Sequence, residues 1–232
     1  AQWEDAREVM LKNLNSQDLR GKKVLVTAGP TREAIDPARF ISNRSSGKMG
    51  YEIARAAYRR GAQVVLVSGK TSLAAPYGVE VVSVDTAAEM YNAVMEVSKT
   101  ADIIIKAAAV SDFSPTEVYE KKVKKKENGS VIPITRTEDI LKELGRQKGE
   151  KQILVGFAAE SDNMLNEGKR KLIEKNLDLI AVNNIVSSTS GFEVDSNKIF
   201  LMDNEGVEEL ALTTKEHAAQ LLLEKIIQKF IL

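Results

Sequence analysis

The feature that most constrains this chain is a repeated alternation. Short, continuously apolar runs are separated by longer segments whose apolar residues recur at helical spacing. The runs at residues 23–28, 63–68, 79–84, 102–109, 152–158 and 177–182 are expected strands. Residues 49–60, 87–99, 138–146, 163–175 and 214–230 are expected helices. Unbroken apolar runs mark strands covered on both faces, as in parallel sheets. Gly61 stops one helix, and Asp85-Thr86 opens the next with a capping hydroxyl. Residues 198–202 and 207–212 flank Asp203-Asn-Glu-Gly206, a hairpin signal, and residues 131–135 read as one more short strand. The expected class is α/β: a doubly wound, mostly parallel, Rossmann-like sheet with right-handed crossovers, a small C-terminal hairpin and a closing helix.

Residues 3–19 are polar, with Trp3, Val9, Met10 and Leu14 at helical spacing. Residues 1–20 are therefore read as a linker helix toward an upstream domain, or alternatively as an N-terminal helix packing on the domain, and residues 21–232 as the main domain. The chain starts Ala1-Gln-Trp rather than with Met, as a segment of a longer protein would.

Ligands of such sheets bind beyond the C-terminal ends of the strands. Four ends matter: Thr27-Ala-Gly-Pro, Lys106-Ala-Ala-Ala-Val-Ser-Asp112, Gly156-Phe-Ala-Ala-Glu160, and Asn183-Asn184. Three are runs of small residues, which let a ligand reach the backbone or, alternatively, let strand ends pack tightly. The first is followed by Ile41-Ser-Asn-Arg-Ser-Ser-Gly-Lys-Met-Gly50, a polar loop entering a helix. Helix N-termini favour anions. The block is not a P-loop, because Ser42 and Met49 stand where Gly and Ser or Thr are required. Nor is Gly29-Pro-Thr-Arg-Glu-Ala34, with one glycine, a dinucleotide loop. A short-chain dehydrogenase needs Tyr-x-x-x-Lys, but Tyr51, Tyr58, Tyr91 and Tyr119 are followed four residues later by Arg55, Ala62, Met95 and Val123.

Composition removes other classes. The 33 basic and 33 acidic residues cancel, which gives no general attraction to nucleic acid or to an anionic membrane. There is no cysteine, and the single His217 lies in the closing helix as an ordinary surface residue. No apolar run approaches the ~20 residues of a membrane span, and no signal peptide is visible, so the cytoplasm is the expected compartment. The concentrated basic run is Tyr119-Glu-Lys-Lys-Val-Lys-Lys-Lys126. It reads either as a solvated face or as a lid, at about residues 112–130, closing over a polyphosphate. Lys171 and Lys175 share a helix face, and on periodicity alone they are solvated.

These segments together resemble the phosphopantothenoylcysteine synthetase family, the amide-forming ligases of coenzyme A biosynthesis. The matching residues are Thr27–Glu33, Asp36-Pro-x-Arg-Phe-Ile-Ser-Asn-x-Ser-Ser-Gly-Lys-Met-Gly50, Ala107-Ala-Ala-Val-Ser-Asp112, Lys122-Val-Lys-Lys125, Gly156-Phe-Ala-Ala-Glu160 and Lys175-Asn-Leu-Asp-Leu-Ile180. The resemblance implies joining of 4′-phosphopantothenate to L-cysteine with CTP (ATP in many eukaryotic members) and Mg²⁺ through an acyl-cytidylate. It also implies a homodimer and fusion to a flavin-dependent decarboxylase, with no nucleic-acid or membrane partner. Part of the dimer contact is expected from the 198–212 hairpin.

The family's roles fall position by position. Asn43 handles the acyl-nucleotide intermediate, and Lys122 neutralises the leaving pyrophosphate. Lys106, Ala107 and Ala108 line the nucleotide, and Asp112, which follows them, contacts the nucleotide or the activated acyl group. Thr135, Arg136, Thr137 and Glu138 form a nucleotide-contacting loop. Here Thr137-Glu138 replaces the family's usual Asn-Pro before Asp-Ile, which leaves backbone contacts as the expected ones. Phe157 lies at the base or ribose, and Lys171 and Lys175 contact phosphate. Ala108 and Ala109 border the acyl substrate, and Arg39 reaches the phosphopantothenate phosphate in the neighbouring subunit. The resemblance assigns no metal ligands.

Overall fold

A computed structural model describes residues 3–124, 131–160, 163–184 and 196–231. The expected apolar runs become β1 (Lys23–Ala28), β4 (Gln63–Ser68), β5 (Glu80–Ser83), β6 (Ile103–Lys106), β9 (Ile153–Glu160) and β10 (Leu179–Asn184). They pair in parallel in the spatial order β5-β4-β1-β6-β9-β10. Numbered along the chain, these six strands stand 3-2-1-4-5-6, the order of a dinucleotide-binding sheet. Two further strands extend that edge: β12 (Ile199–Met202) pairs antiparallel with β10, and β13 (Val207–Glu209) pairs antiparallel with β12. The hairpin expected from Asp203–Gly206 is there, with Asp203 Oδ1 accepting the amides of Glu205 and Gly206.

Period-two alternation decides which face each side chain covers. Val24, Val26 and Ala28 of β1 pack with α2 (Lys48–Arg59) and α6 (Lys215–Phe230), while Leu25 turns to the opposite core. That second core holds α3 (Ala87–Ser98), α4 (Ile140–Gln147) and α5 (Met164–Glu174) through Met90, Val94, Leu141, Leu144 and Leu172. Each fully buried aliphatic side chain is worth ~1.5–3 kcal/mol against exposure. The helix starts follow local chemistry. Thr86 and Glu89 form a capping box on α3, Asp139 caps α4, and Thr214 caps α6.

The structure departs from the sequence expectation in several places. β6 ends at Lys106 rather than Ala109, and the three alanines run on as loop, tied to β1 by a bridge between Pro30 and Ala109. The region read as polar loop after β1 holds a hairpin, β2 (Arg32–Asp36) with β3 (Arg39–Ser42). Within the long loop, β7 (Phe113–Pro115) pairs antiparallel with β8 (Ile134–Arg136), the short strand expected at 131–135. β11 (Ser196–Asn197) and β14 (Thr213–Thr214) form a minor pair. Lys125 and Lys126 of the basic run lie outside the described residues.

α1 (Trp3–Leu14) packs on α2 through charge. Glu8, 9% exposed, accepts two hydrogen bonds from Arg59, at 2.8 and 2.7 Å. Trp3, Val9, Met10 and Leu14, the residues that gave the helical spacing, face outward instead.

Candidate active site

The switch in strand order falls between β1 and β6, where loops leave in opposite directions and open a cleft. Gly47, at φ 77°, begins α2 there in the left-handed conformation glycine tolerates. Gly50 lets that helix lie directly on β1, since a Cβ at this position would stand 2.6 Å from Ala28 Cβ. The first turn of α2 is thereby aimed at the cleft, with its amide dipoles toward any anion there.

A layer of hydroxyls stitches the cleft loops together. Thr27 Oγ1 accepts the Ala108 amide at 3.0 Å, and Thr31 Oγ1 accepts the Ser111 amide at 2.9 Å. Ser42 donates to the Thr31 carbonyl at 2.7 Å, and Thr137 donates to the Ser111 carbonyl at 2.6 Å. The Ala109 amide is bonded to the Gly29 carbonyl at 3.0 Å. The amides of Ala108 and Ala109 therefore serve the fold, and these residues offer a ligand their small side chains. The Thr137 hydroxyl is likewise committed to the protein.

The cleft has two adjoining chambers. The inner one is walled by Asn43, Gly47–Gly50, Lys106–Val110, Phe157, Lys171, Asn183 and Lys215. The outer one is walled by Arg136, Thr137, Glu138, Asp139 and Lys175. Lys106 and Asp112 border both. Three of the expected residues stay outside both walls. Thr135 is paired with Ser114 in the β7–β8 ladder. Arg39 lies at the tip of the β2–β3 hairpin, bonded to Asp36 and to the Val123 carbonyl. Lys122, beside Val123, is exposed. His217 is exposed as expected.

Asn43 Nδ2 donates to the Val110 carbonyl at 2.9 Å and to the Ala109 carbonyl at 3.3 Å, bridging the mouth of the inner chamber. Lys175 is ion-paired with Asp139 at 2.8 Å. Burial works against the Asp139 carboxylate, but the hydrogen bonds from Lys175 and the Lys142 amide outweigh it and hold its pKa below the ordinary value. Lys106 goes the other way. Burial, and then the neighbouring Lys175, press its pKa down to about 8, with Asp139 and Asp112 offsetting only part.

Lys215 was not foreseen. It is 5% exposed and joins the inner wall from the start of α6, 172 residues after Asn43. A lysine opening an amphipathic helix carries no signal by itself; only the return of the chain across the sheet puts it there. Among the described residues, no group of three or more His, Cys, Asp or Glu could hold a metal, and no helix is long and apolar enough to cross a membrane.

The family model described as DNA/pantothenate metabolism flavoprotein C-terminal domain matches residues 19–230. The coenzyme A biosynthesis bifunctional protein CoaBC of Bacillus subtilis is 47% identical over 213 residues, 91% of this chain and 52% of that protein. Its counterpart in Escherichia coli K12 is 43% identical over 92% of this chain and 53% of that protein. The chain thus spans about half the length of these relatives. A crystal structure of the C-terminal domain of CoaBC superposes with a TM-score of 0.79 at 43% identity, covering 92% of this chain and 97% of that one. A Cab2 mutant in complex with phosphopantothenate-cysteine shares the fold, with a TM-score of 0.77 at 17% identity over 99% of this chain and 94% of that one. The chain belongs to the DNA/pantothenate metabolism flavoprotein C-terminal domain family.

Proposed function

We propose that this chain is a phosphopantothenate–cysteine ligase of coenzyme A biosynthesis, using CTP. The observation that carries the reading is the two-chambered cleft at the switch point. It sets Asn43, the α2 N-terminus and the lysines 106 and 171 around one inner space, with Lys175 in the chamber beside it. A carboxylate and an amine do not condense unaided, because the carboxylate oxygen is a poor leaving group. In the proposed reaction the phosphopantothenate carboxylate attacks the α-phosphorus of CTP and pyrophosphate departs. The cysteine amine then attacks the acyl carbon, and CMP leaves with the former carboxylate oxygen. The lysines and helix dipole stabilise charge that grows on the leaving phosphates. Asn43 stays neutral beside them, and its amide can release one carbonyl to donate to the tetrahedral oxyanion. Mg²⁺ carried by the triphosphate would neutralise part of its charge, and Asp112, the carboxylate common to both chambers, would be the side chain to face it. The loop at Arg136–Glu138 forms the outer wall for the nucleotide, and Phe157 offers an aromatic surface to it.

The working unit is proposed to be a homodimer. Support comes from exposed apolar side chains on the two small hairpins and their flanks, Phe40, Val118, Ile132 and Ile134. The expected contact at the 198–212 hairpin has the same kind of support in the exposed Val207 and Leu212. Arg39 and Lys122, outside the walls of their own cleft, fit work at a neighbour's. Fusion to a flavin-dependent decarboxylase is supported by the bifunctional relatives, of which this chain spans about half.

The test is pyrophosphate release with 4′-phosphopantothenate, with and without L-cysteine, and with CTP or ATP. Cysteine-dependent turnover with CTP is expected. Turnover with ATP alone would change the nucleotide, and no release from folded protein with either would remove the ligase reading.

A further inference from the structure

The Asp36 carboxylate has no exposed surface, yet it stands at the tip of a surface hairpin. Its two oxygens do different work. Oδ1 accepts the amides of Ala38 and Arg39, at 2.9 and 3.0 Å, and closes the turn between β2 and β3. Any side-chain carbonyl could do this. Oδ2 accepts Arg39 Nε at 3.0 Å, Arg39 Nη2, and the Val123 amide at 3.1 Å. Arg39 Nη2 also donates to the Val123 carbonyl at 3.0 Å. Both polar groups of the Val123 backbone are therefore gripped by one ion pair. Four residues earlier, the Tyr119 amide donates to the Ile35 carbonyl at 3.0 Å. Residues 119–123 are pinned at both ends to the end of β2, and Lys122 and Lys124 flank the gripped residue.

We propose that Asp36 is a positioning residue that couples Arg39 to the lysine strap, so that the two phosphate-contacting groups are set as one unit. This rests on the reading of Arg39 and Lys122 as substrate-phosphate and pyrophosphate contacts. Turn closure needs only an acceptor, whereas the grip on Arg39 and Val123 needs the second oxygen and its charge. Asp36→Asn separates these roles. The amide keeps one acceptor for the turn and turns an NH₂ toward the three N–H groups that Oδ2 accepts, Arg39 Nε, Arg39 Nη2 and the Val123 amide.

The experiment uses the whole chain and pairs amide hydrogen exchange with steady-state kinetics. In Asp36→Asn, exchange at Val123 is expected to accelerate by at least ~10-fold while the β1 and β6 amides stay protected, because a charge-assisted grip is lost locally. The KM values for phosphopantothenate and for nucleotide should rise together, each by about 10-fold, with a smaller change in kcat. Asp36→Glu, which keeps the charge, should recover part of both. Unchanged Val123 exchange would overturn the grip. A rise confined to the phosphopantothenate KM would overturn the coupling and leave Asp36 serving Arg39 alone. Absence of ligase turnover in the unmutated chain overturns the functional reading, and the exchange arm still decides the grip.

Discussion

Asn43 and Val110 face each other across the cleft mouth, joined by a 2.9 Å bond from the Asn43 amide nitrogen to the Val110 carbonyl. The side chain assigned to the reaction intermediate is thus held by the loop that leaves β6, and its donor end is fixed by backbone rather than by ligand. Asn43→Asp turns a carboxylate toward two carbonyls and sets a negative charge beside the phosphates. Activation should survive and amide formation should fail, with kcat lower by about 10²–10³. Acid quench and chromatography would show acyl-nucleotide accumulating. Product formation at the unmutated rate would remove Asn43 from this role.

Lys106 gives a pH signature. Its pKa of about 8 means that burial disfavours the charged form there, relative to a lysine in water at 10.5. The stability cost is fully present below about pH 8 and fades as pH rises toward 10.5. Nucleotide binding runs in the opposite direction. A polyphosphate favours the ammonium, so above about pH 8 binding takes up a proton and affinity falls with rising pH. The limiting slope is about tenfold per pH unit for one proton. Calorimetry of CTP binding between pH 7 and 9.5 in buffers of different ionisation enthalpy measures that uptake, over roughly the span of the titration. Lys106→Met should abolish it. A pH-independent affinity in the unmutated chain would separate Lys106 from the phosphates.

The residues that were legible in the sequence are those whose position follows from their own local pattern. Strands such as Val24–Ala28 are buried on both faces, so their apolar runs announce them. The β2–β3 hairpin has no such pattern. It is held by polar tertiary contacts: the Arg32 amide to the Asp85 carbonyl at 2.7 Å, and Glu33 Oε1 accepting the Ala87 amide at 2.9 Å. β7 and β8 are separated by the basic run, so no short-range turn signal joins them. In α1 the apolar spacing announced the helix, but its attachment through the Glu8–Arg59 pair has no signal in the spacing. The family motif located Arg39 and Lys122, but their separation from the cleft walls came only with the fold.

Gly50 tests the seating of α2. A Cβ there meets Ala28 Cβ at 2.6 Å and the Thr27 carbonyl oxygen at 2.8 Å. Backbone must move to relieve this, so Gly50→Ala should destabilise by about 1–3 kcal/mol. It should also weaken nucleotide binding, since the helix start moves with the backbone. Gly206→Ala, with nothing within 4 Å of the added methyl, is the control and should leave the melting temperature nearly unchanged. Equal melting of the two variants would show that α2 has slack against β1.

Arg59 tests how α1 is attached. It bonds Glu8 of α1 and Glu216 of α6, so one guanidinium links three helices. The hydrogen bond from Arg59 holds the Glu8 pKa below its ordinary value. Its contribution is therefore present above the usual glutamate pKa and lost as pH falls through the lowered one. Arg59→Met leaves the buried Glu8 with only the half-exposed Arg7, at 3.7 Å, as an ion-pair partner, and should cost about 3 kcal/mol in denaturant unfolding at neutral pH. Because a weakly paired buried carboxylate takes up a proton readily, that deficit should shrink in acid. A deficit that does not change with pH would place the loss in packing rather than in charge.

Arg39 and Asn43 bracket the same short strand, so along an extended chain they stand roughly 13 Å apart. Arg39 and the exposed Lys122 lie outside the walls that Asn43 helps form. In a shared-site dimer, each cleft would take Asn43 from one protomer and Arg39 from the other. Arg39→Ala and Asn43→Asp chains should each be inactive as homodimers. On mixing in equal amounts, half the dimers are mixed, and each of these regenerates one intact site in two, so about a quarter of full activity should return. Labelled protomers and native mass spectrometry would verify that exchange has occurred. No recovery in exchanged dimers would mean that each site is complete within one chain, and Arg39 would then have to act on the phosphate end of a substrate lying along its own β3.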